Sequence, residues 1–148
     1  MKKNILVALN DSMISQSVIN SIIEMRHCHN EDTITLLHVF RKPTAEEALM
    51  GKKFTAEQKP RMMAALEKFK DKLIENGFKE HNIIINLATE KYETISDGII
   101  DVFKKGSYDM VFIGRKRMSK SEEFVLGDIS IRLIRALKNT SIVVVKTE

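Results

Sequence analysis

Residues 110–130 read MVFIGRKRMSKSEEFVLGDIS. The run from Met110 to Ile113 is too short for a helix and suits a strand buried on both faces. Gly114 closes it. Gly127 stands just ahead of Ile129, Leu133, Ile134 and Leu137, apolar residues at helical spacing. Strand, glycine, loop, glycine and helix is an order in which α/β folds make room for a phosphate. A helix N-terminus there supplies unpaired N–H groups and a partial positive charge. The candidate anion-facing donors are the backbone near Gly114 and at Gly127–Ile129.

The same alternation continues towards both ends. Ile5-Leu6-Val7-Ala8-Leu9 reads as a strand, and Asp11 or Ser12 is placed to cap the helix after it. In that helix Ile14, Val18 and Ile22 recur four apart. Thr33 to Phe40 is a second strand. The polar segment from Pro43 to Lys59 reads as a connection with room for a short helix, in which Thr44 and Glu47 fit a capping box. A long helix then carries Met62, Leu66, Phe69 and Leu73 on one stripe and stops at Asn76-Gly77. Ile83 to Leu87 is a third strand. Ile95, Ile99 and Val102 mark a helix that ends near Gly106, and Ser141 to Val145 is the last strand. Continuous apolar strands alternating with helices predict an α/β domain over residues 1–148, a five-stranded parallel sheet covered by helices on both faces. Ligands in such folds sit past the C-terminal ends of the strands, where the strand order reverses. The ends after Leu9, Phe40 and Ile113 are therefore the place for a site.

Composition removes several function classes. A chain of 148 residues can bury a substantial core. Its 24 Lys and Arg stand against 20 Asp and Glu, with both signs interspersed, so charge alone does not call for nucleic acid. The basic cluster Arg115, Lys116, Arg117 and Lys120 has no aromatic residue interleaved, and Glu122 and Glu123 follow it. No nucleic-acid partner is expected. Cys28 is the only cysteine, which excludes an internal disulfide and points to a reducing compartment. The apolar run at Ile5–Leu9 stops too soon for a signal peptide, and no run reaches membrane-spanning length. A cytoplasmic protein without a membrane partner is expected. The side chains of His27, Cys28 and His29 cannot easily converge on one metal, and they read as the end of the first helix. No metal site is expected. His38 reads as a core histidine. Glu90, Glu93 and Asp97 read as groups that cap and flank the third helix. Neither a nucleophile–base pair nor an acid/base pair stands out, so no catalytic residue is assigned and the protein is expected not to be an enzyme.

The segment ILVALNDS at 5–12, TLLHV at 35–39 and VLGDISIRLIRALKNTSIVVVK at 125–146 resemble the corresponding segments of the universal stress protein family, over essentially the whole chain. The nucleotide-binding version of that family carries the loop pattern G-x2-G-x9-G-[ST]. Gly114, Arg117, Gly127 and Asp128 stand on its four positions with that spacing. Two of them depart, Arg117 from the second glycine and Asp128 from the final Ser/Thr. Asn10 stands where the family has an aspartate. The resemblance implies a Rossmann-like three-layer α/β/α fold of the adenine nucleotide hydrolase-like type. It also implies a site for ATP or AMP at Asn10, Asp11, Val39, Gly114, Arg117, Gly127, Asp128 and Ile129, with Val39 acting through its backbone. A homodimer through Ser141–Val145 is implied as well.

Physical chemistry weighs the two departures. Arg117 adds a Cβ and a long side chain to the phosphate path, and also a positive charge. Asp128 is a good cap for the last helix and puts a carboxylate where a phosphate would lie. The resulting expectation is a non-catalytic stress-response protein with a degraded nucleotide site, which binds a partner, or a nucleotide weakly, in the cleft above Asn10, Val39 and Gly114. The alternative is a true ATP or AMP sensor, favoured by the intact glycines at 114 and 127. Replacing Arg117 by Gly and Asp128 by Ser together is expected to raise ATP affinity.

Overall fold

The apolar runs become five neighbouring strands. A computed structural model describes residues 2–25, 31–43, 45–115 and 129–146. In chain order the elements are β1 (Asn4–Ala8), α1 (Met13–Glu24), β2 (Thr33–Arg41), α2 (Ala45–Leu49), α3 (Gly51–Glu75), β3 (Ile83–Tyr92), α4 (Ile95–Lys105), β4 (Met110–Arg115), α5 (Ile129–Ala136) and β5 (Ser141–Lys146). The sheet order is β3-β2-β1-β4-β5, and every pairing is parallel. Strand alternation divides the core in two. Ile5, Val7, Leu36 and Phe112 pack with residues of α1 and α3, such as Ile19 and Leu66. Leu6, Val39, Val111 and Ile113 pack on the other face with Ile99 of α4 and Leu133 of α5. This is the predicted α/β/α arrangement.

The stop of α3 follows the sequence reading. Gly77 takes φ +96°. The N–H groups of Gly77 and Phe78 return to the carbonyls of Ile74 and Leu73, both at 3.1 Å, which closes the last turn. Met62, Leu66, Phe69 and Leu73 are all buried, as their stripe requires.

Other boundaries differ. The long helix begins at Gly51, eleven residues before Met62, so most of the expected connection is helical, with α2 ahead of it. Among the described side chains its first turns carry no buried residue ahead of Met62, and Pro60 lies inside the helix. β3 runs on to Tyr92 because β2 continues beside it, with Arg41 opposite Tyr92 after a shift in register. In α5 the buried residues are Ser130 and Leu133, with buried Leu137 just beyond the helix. Ile134 is 60% exposed and Ile129 36%, so two of the four residues expected on its core stripe are not buried. Thr44 of the proposed capping box and the His27-Cys28-His29 triplet lie outside the described residues, as do Lys116, Lys120, Glu122 and Glu123. No described helix is long and apolar enough to cross a membrane.

Candidate functional site

β1 sits between β2 and β4, so the chain leaves it to one side and later returns on the other. That reversal opens a crevice past the strand ends. Leu9 and Asn10, Val39, Gly114 and Ile129 meet there, and Ile95 and Ile99 of α4 form an aliphatic wall with Ile113. Four residues expected from the sequence, Asn10, Val39, Gly114 and Ile129, thus come together. Asp11 does not join them. Its carboxylate turns to Arg61 of α3, with Oδ2 3.3 Å from Nε. Arg117, Gly127 and Asp128 lie outside the described residues.

Each member is held for a local reason. Asn10 Oδ1 accepts from the Ser12 N–H at 2.9 Å and from Ser15 Oγ at 2.9 Å, and also from the Ser12 hydroxyl. The Ser15 hydroxyl in turn accepts from the Asn10 N–H at 2.8 Å. The side chain serving the start of α1 is therefore Asn10, and neither Asp11 nor Ser12 caps it as expected. Ser12 occupies the N-cap position without a side-chain cap bond.

Val39 is buried, and Gly98 of α4 allows this. A Cβ on Gly98 would lie 2.3 Å from Val39 Cγ1. Gly114 has a similar role. A Cβ there would lie 2.6 Å from Ile14 Cγ1 and 3.1 Å from Val18 Cγ2. The glycine read as phosphate room is required by α1 lying against β4.

His38 supports the cleft from the other face of β2. Its Nδ1 donates to the Leu9 carbonyl at 2.8 Å, and its ring meets Phe40 edge-on with centroids 4.6 Å apart. A carbonyl can only accept, so Nδ1 carries the proton. Burial holds the imidazole pKa below its ordinary value. The Leu9 bond and Asp11 oppose that shift, and Arg61 adds to it.

At the start of α4 Thr94 caps the helix, its Oγ1 accepting from the Asp97 N–H at 3.1 Å. Arg132 of α5 donates to the same oxygen at 3.0 Å and to Asp97 Oδ1 at 3.0 Å. Thr94, rather than an acidic residue, is thus the cap. Glu93 instead pairs with Lys42.

A larger hollow, about 350 Å³ against about 80 Å³ for the cleft, lies between β3 and α4. Its charged groups satisfy one another. Lys105 Nζ lies 2.9 Å from Asp101 Oδ2 and 3.4 Å from Glu90 Oε1, and the Tyr92 hydroxyl donates to Asp101 at 2.6 Å. Partial burial, then those two carboxylates, push the Tyr92 hydroxyl well above the ordinary tyrosine range. Size favours the hollow, and topology and converging residues favour the cleft. Among the described residues no group of three or more potential metal ligands is present.

Sequence reasoning missed His38 as a support of the cleft, and Ile95 and Ile99 as its wall. Their apolar spacing matched the core equally well.

A parallel α/β sheet with an aliphatic crevice at a strand-order reversal defines an open α/β domain of the Rossmann-like class. The family model described as the universal stress protein family matches residues 1–146, and the chain belongs to that family. Solved structures agree in fold. UspA from Lactobacillus plantarum is 14% identical, with 97% of each chain covered and a TM-score of 0.73. A universal stress protein solved in complex with cAMP is 14% identical, covering 97% of this chain and 95% of that one, with a TM-score of 0.66. A universal stress protein from Archaeoglobus fulgidus is 16% identical, covering 99% and 95%, with a TM-score of 0.63. No curated protein matches the chain.

Proposed function

We propose that this chain is a non-enzymatic, cytoplasmic regulatory protein that senses an adenine nucleotide in the cleft beside β1. It works as a homodimer joined along β5. One observation carries the reading: Asn10, Val39, Gly114 and Ile129, distant in sequence, converge on one crevice at the reversal of strand order. The aliphatic wall suits a base, and the rim offers polar atoms for a sugar and phosphates. A relative of the same fold was solved with cAMP, which supports a nucleotide as the class of ligand.

A second reading rests on Asp128, which immediately precedes α5 in the chain. A carboxylate capping that helix would take the end that a phosphate would use and would repel it. On this reading the site is degraded and the protein acts through a protein partner. Calorimetric titration of nucleotide-stripped protein with AMP, and with ATP and magnesium, separates the two. Micromolar binding is expected from a sensor. Silence up to millimolar nucleotide selects the degraded site.

A further inference from the structure

We infer that Asn10 is a specificity-determining donor, tuning the cleft to adenine nucleotides that carry a phosphate on the ribose 2′ or 3′ oxygen. The inference rests on the nucleotide reading above and narrows it.

The backbone leading into Asn10 is fixed from two sides. The Leu9 N–H donates to the Leu37 carbonyl at 2.8 Å, and the Leu9 carbonyl accepts from His38. The side-chain amide is then oriented by chemistry. The Ser12 backbone N–H can only donate, so the atom facing it must be Oδ1. That oxygen receives two further donors, the Ser12 and Ser15 hydroxyls. Ser15 is 3% exposed, so this is a held arrangement. With three donors on Oδ1, its accepting capacity is used within the protein.

What remains of Asn10 is Nδ2, with two N–H donors and no partner among the described residues. Asn10 is exposed and lines the cleft. The nearest acid in sequence, Asp11, is paired with Arg61. A ligand at this rim therefore meets the amide donor of Asn10. A phosphate accepts only, and its bond to an N–H is charge-assisted, about twice as strong as a neutral one. A free ribose hydroxyl forms only the weaker neutral bond. A carboxylate at the same place would invert both preferences, accepting from the hydroxyl and repelling the phosphate.

The test is calorimetry with AMP, adenosine 2′,5′-bisphosphate and adenosine 3′,5′-bisphosphate. These share base and 5′-phosphate and differ only at the ribose edge. The proteins are wild type and Asn10→Asp, which keeps an acceptor oxygen for Ser12 and Ser15. At least one bisphosphate is expected to bind wild type about tenfold or more tighter than AMP. In Asn10→Asp that gain disappears, and AMP binds as tightly as either bisphosphate or tighter. Equal affinities of wild type for all three nucleotides would overturn the inference, as would a gain that survives Asn10→Asp. Either result leaves the nucleotide site standing. No binding of any of the three to wild type overturns the nucleotide reading itself, and this inference with it. The comparison among ligands on wild type stands without the variant.

Discussion

At Gly114 a methyl group would meet Ile14 Cγ1 at 2.6 Å and Val18 Cγ2 at 3.1 Å. Neither atom ends a long flexible chain, so α1 must move away from β4. Gly114→Ala is expected to destabilise the protein by about 1–3 kcal/mol, read as a lower urea midpoint. Adding Ile14→Ala makes room, so the double variant should lose less than the two single costs combined. Strict additivity would show that the contact is not the cause. His38 gives a second residue-scale expectation. Its folded pKa lies below the ordinary 6.5 because of burial. Above that value the ring is neutral in both folded and unfolded chains. As pH falls below it, the unfolded chain binds the proton first, so stability is lost down through the folded pKa. Denaturation from about pH 7 to about pH 5 should therefore weaken wild type more than His38→Gln, whose amide can still reach Leu9. Parallel curves for the two proteins would rule this out.

Between elements, one threonine oxygen serves two helices. Thr94 caps α4 and also receives Arg132 of α5, and both helices contribute to the cleft wall. Thr94→Ala should cost about 1–2 kcal/mol in chemical denaturation, with Thr94→Ser restoring most of it. An unchanged midpoint in the alanine variant would mean the cap is dispensable. The strands were legible in the sequence because burial on both faces demands unbroken apolar runs, as in Ile5–Leu9 and Met110–Ile113. The first turns of α3 were not. Ala56, Glu57 and Lys59 are exposed, and helix propensity without a buried stripe leaves no period to read. The stripe of α5 misled for the opposite reason, since Ile134 has helical spacing but faces outward. The cap at Asn10 escaped because its oxygen reaches forward past Asp11, whereas capping rules look at the residue next to the helix. The cleft lies where topology put it; of the eight residues named, Asn10, Val39, Gly114 and Ile129 line it, Asp11 turns to Arg61, and Arg117, Gly127 and Asp128 lie outside the described residues. The aliphatic wall was hidden because periodicity does not separate a wall from a core.

For the whole molecule, the exposed sheet edge at β5 bears on assembly. Among the described residues the strand has no neighbour beyond β4, its residues Ile142–Val145 are half-buried, and α5 beside it leaves Ile131 and Ile134 46% and 60% exposed. Dimerisation along this edge would cover both features. Sedimentation at micromolar concentration should show a dimer. Ile134→Asp, at an exposed position that the fold tolerates, should shift it towards monomer. A monomeric wild type would exclude this assembly. The position of β1 has a consequence for synthesis. β1 pairs β2 almost at once, but its other neighbour begins at Met110, opposite Ile5. While the intervening residues emerge from the ribosome, β1, β2 and β3 can join as a sheet with one bare flank. That flank carries Ile5, Leu6 and Val7, fully buried in the finished protein. The strand that ends at the centre of the sheet spends most of translation as its unguarded border.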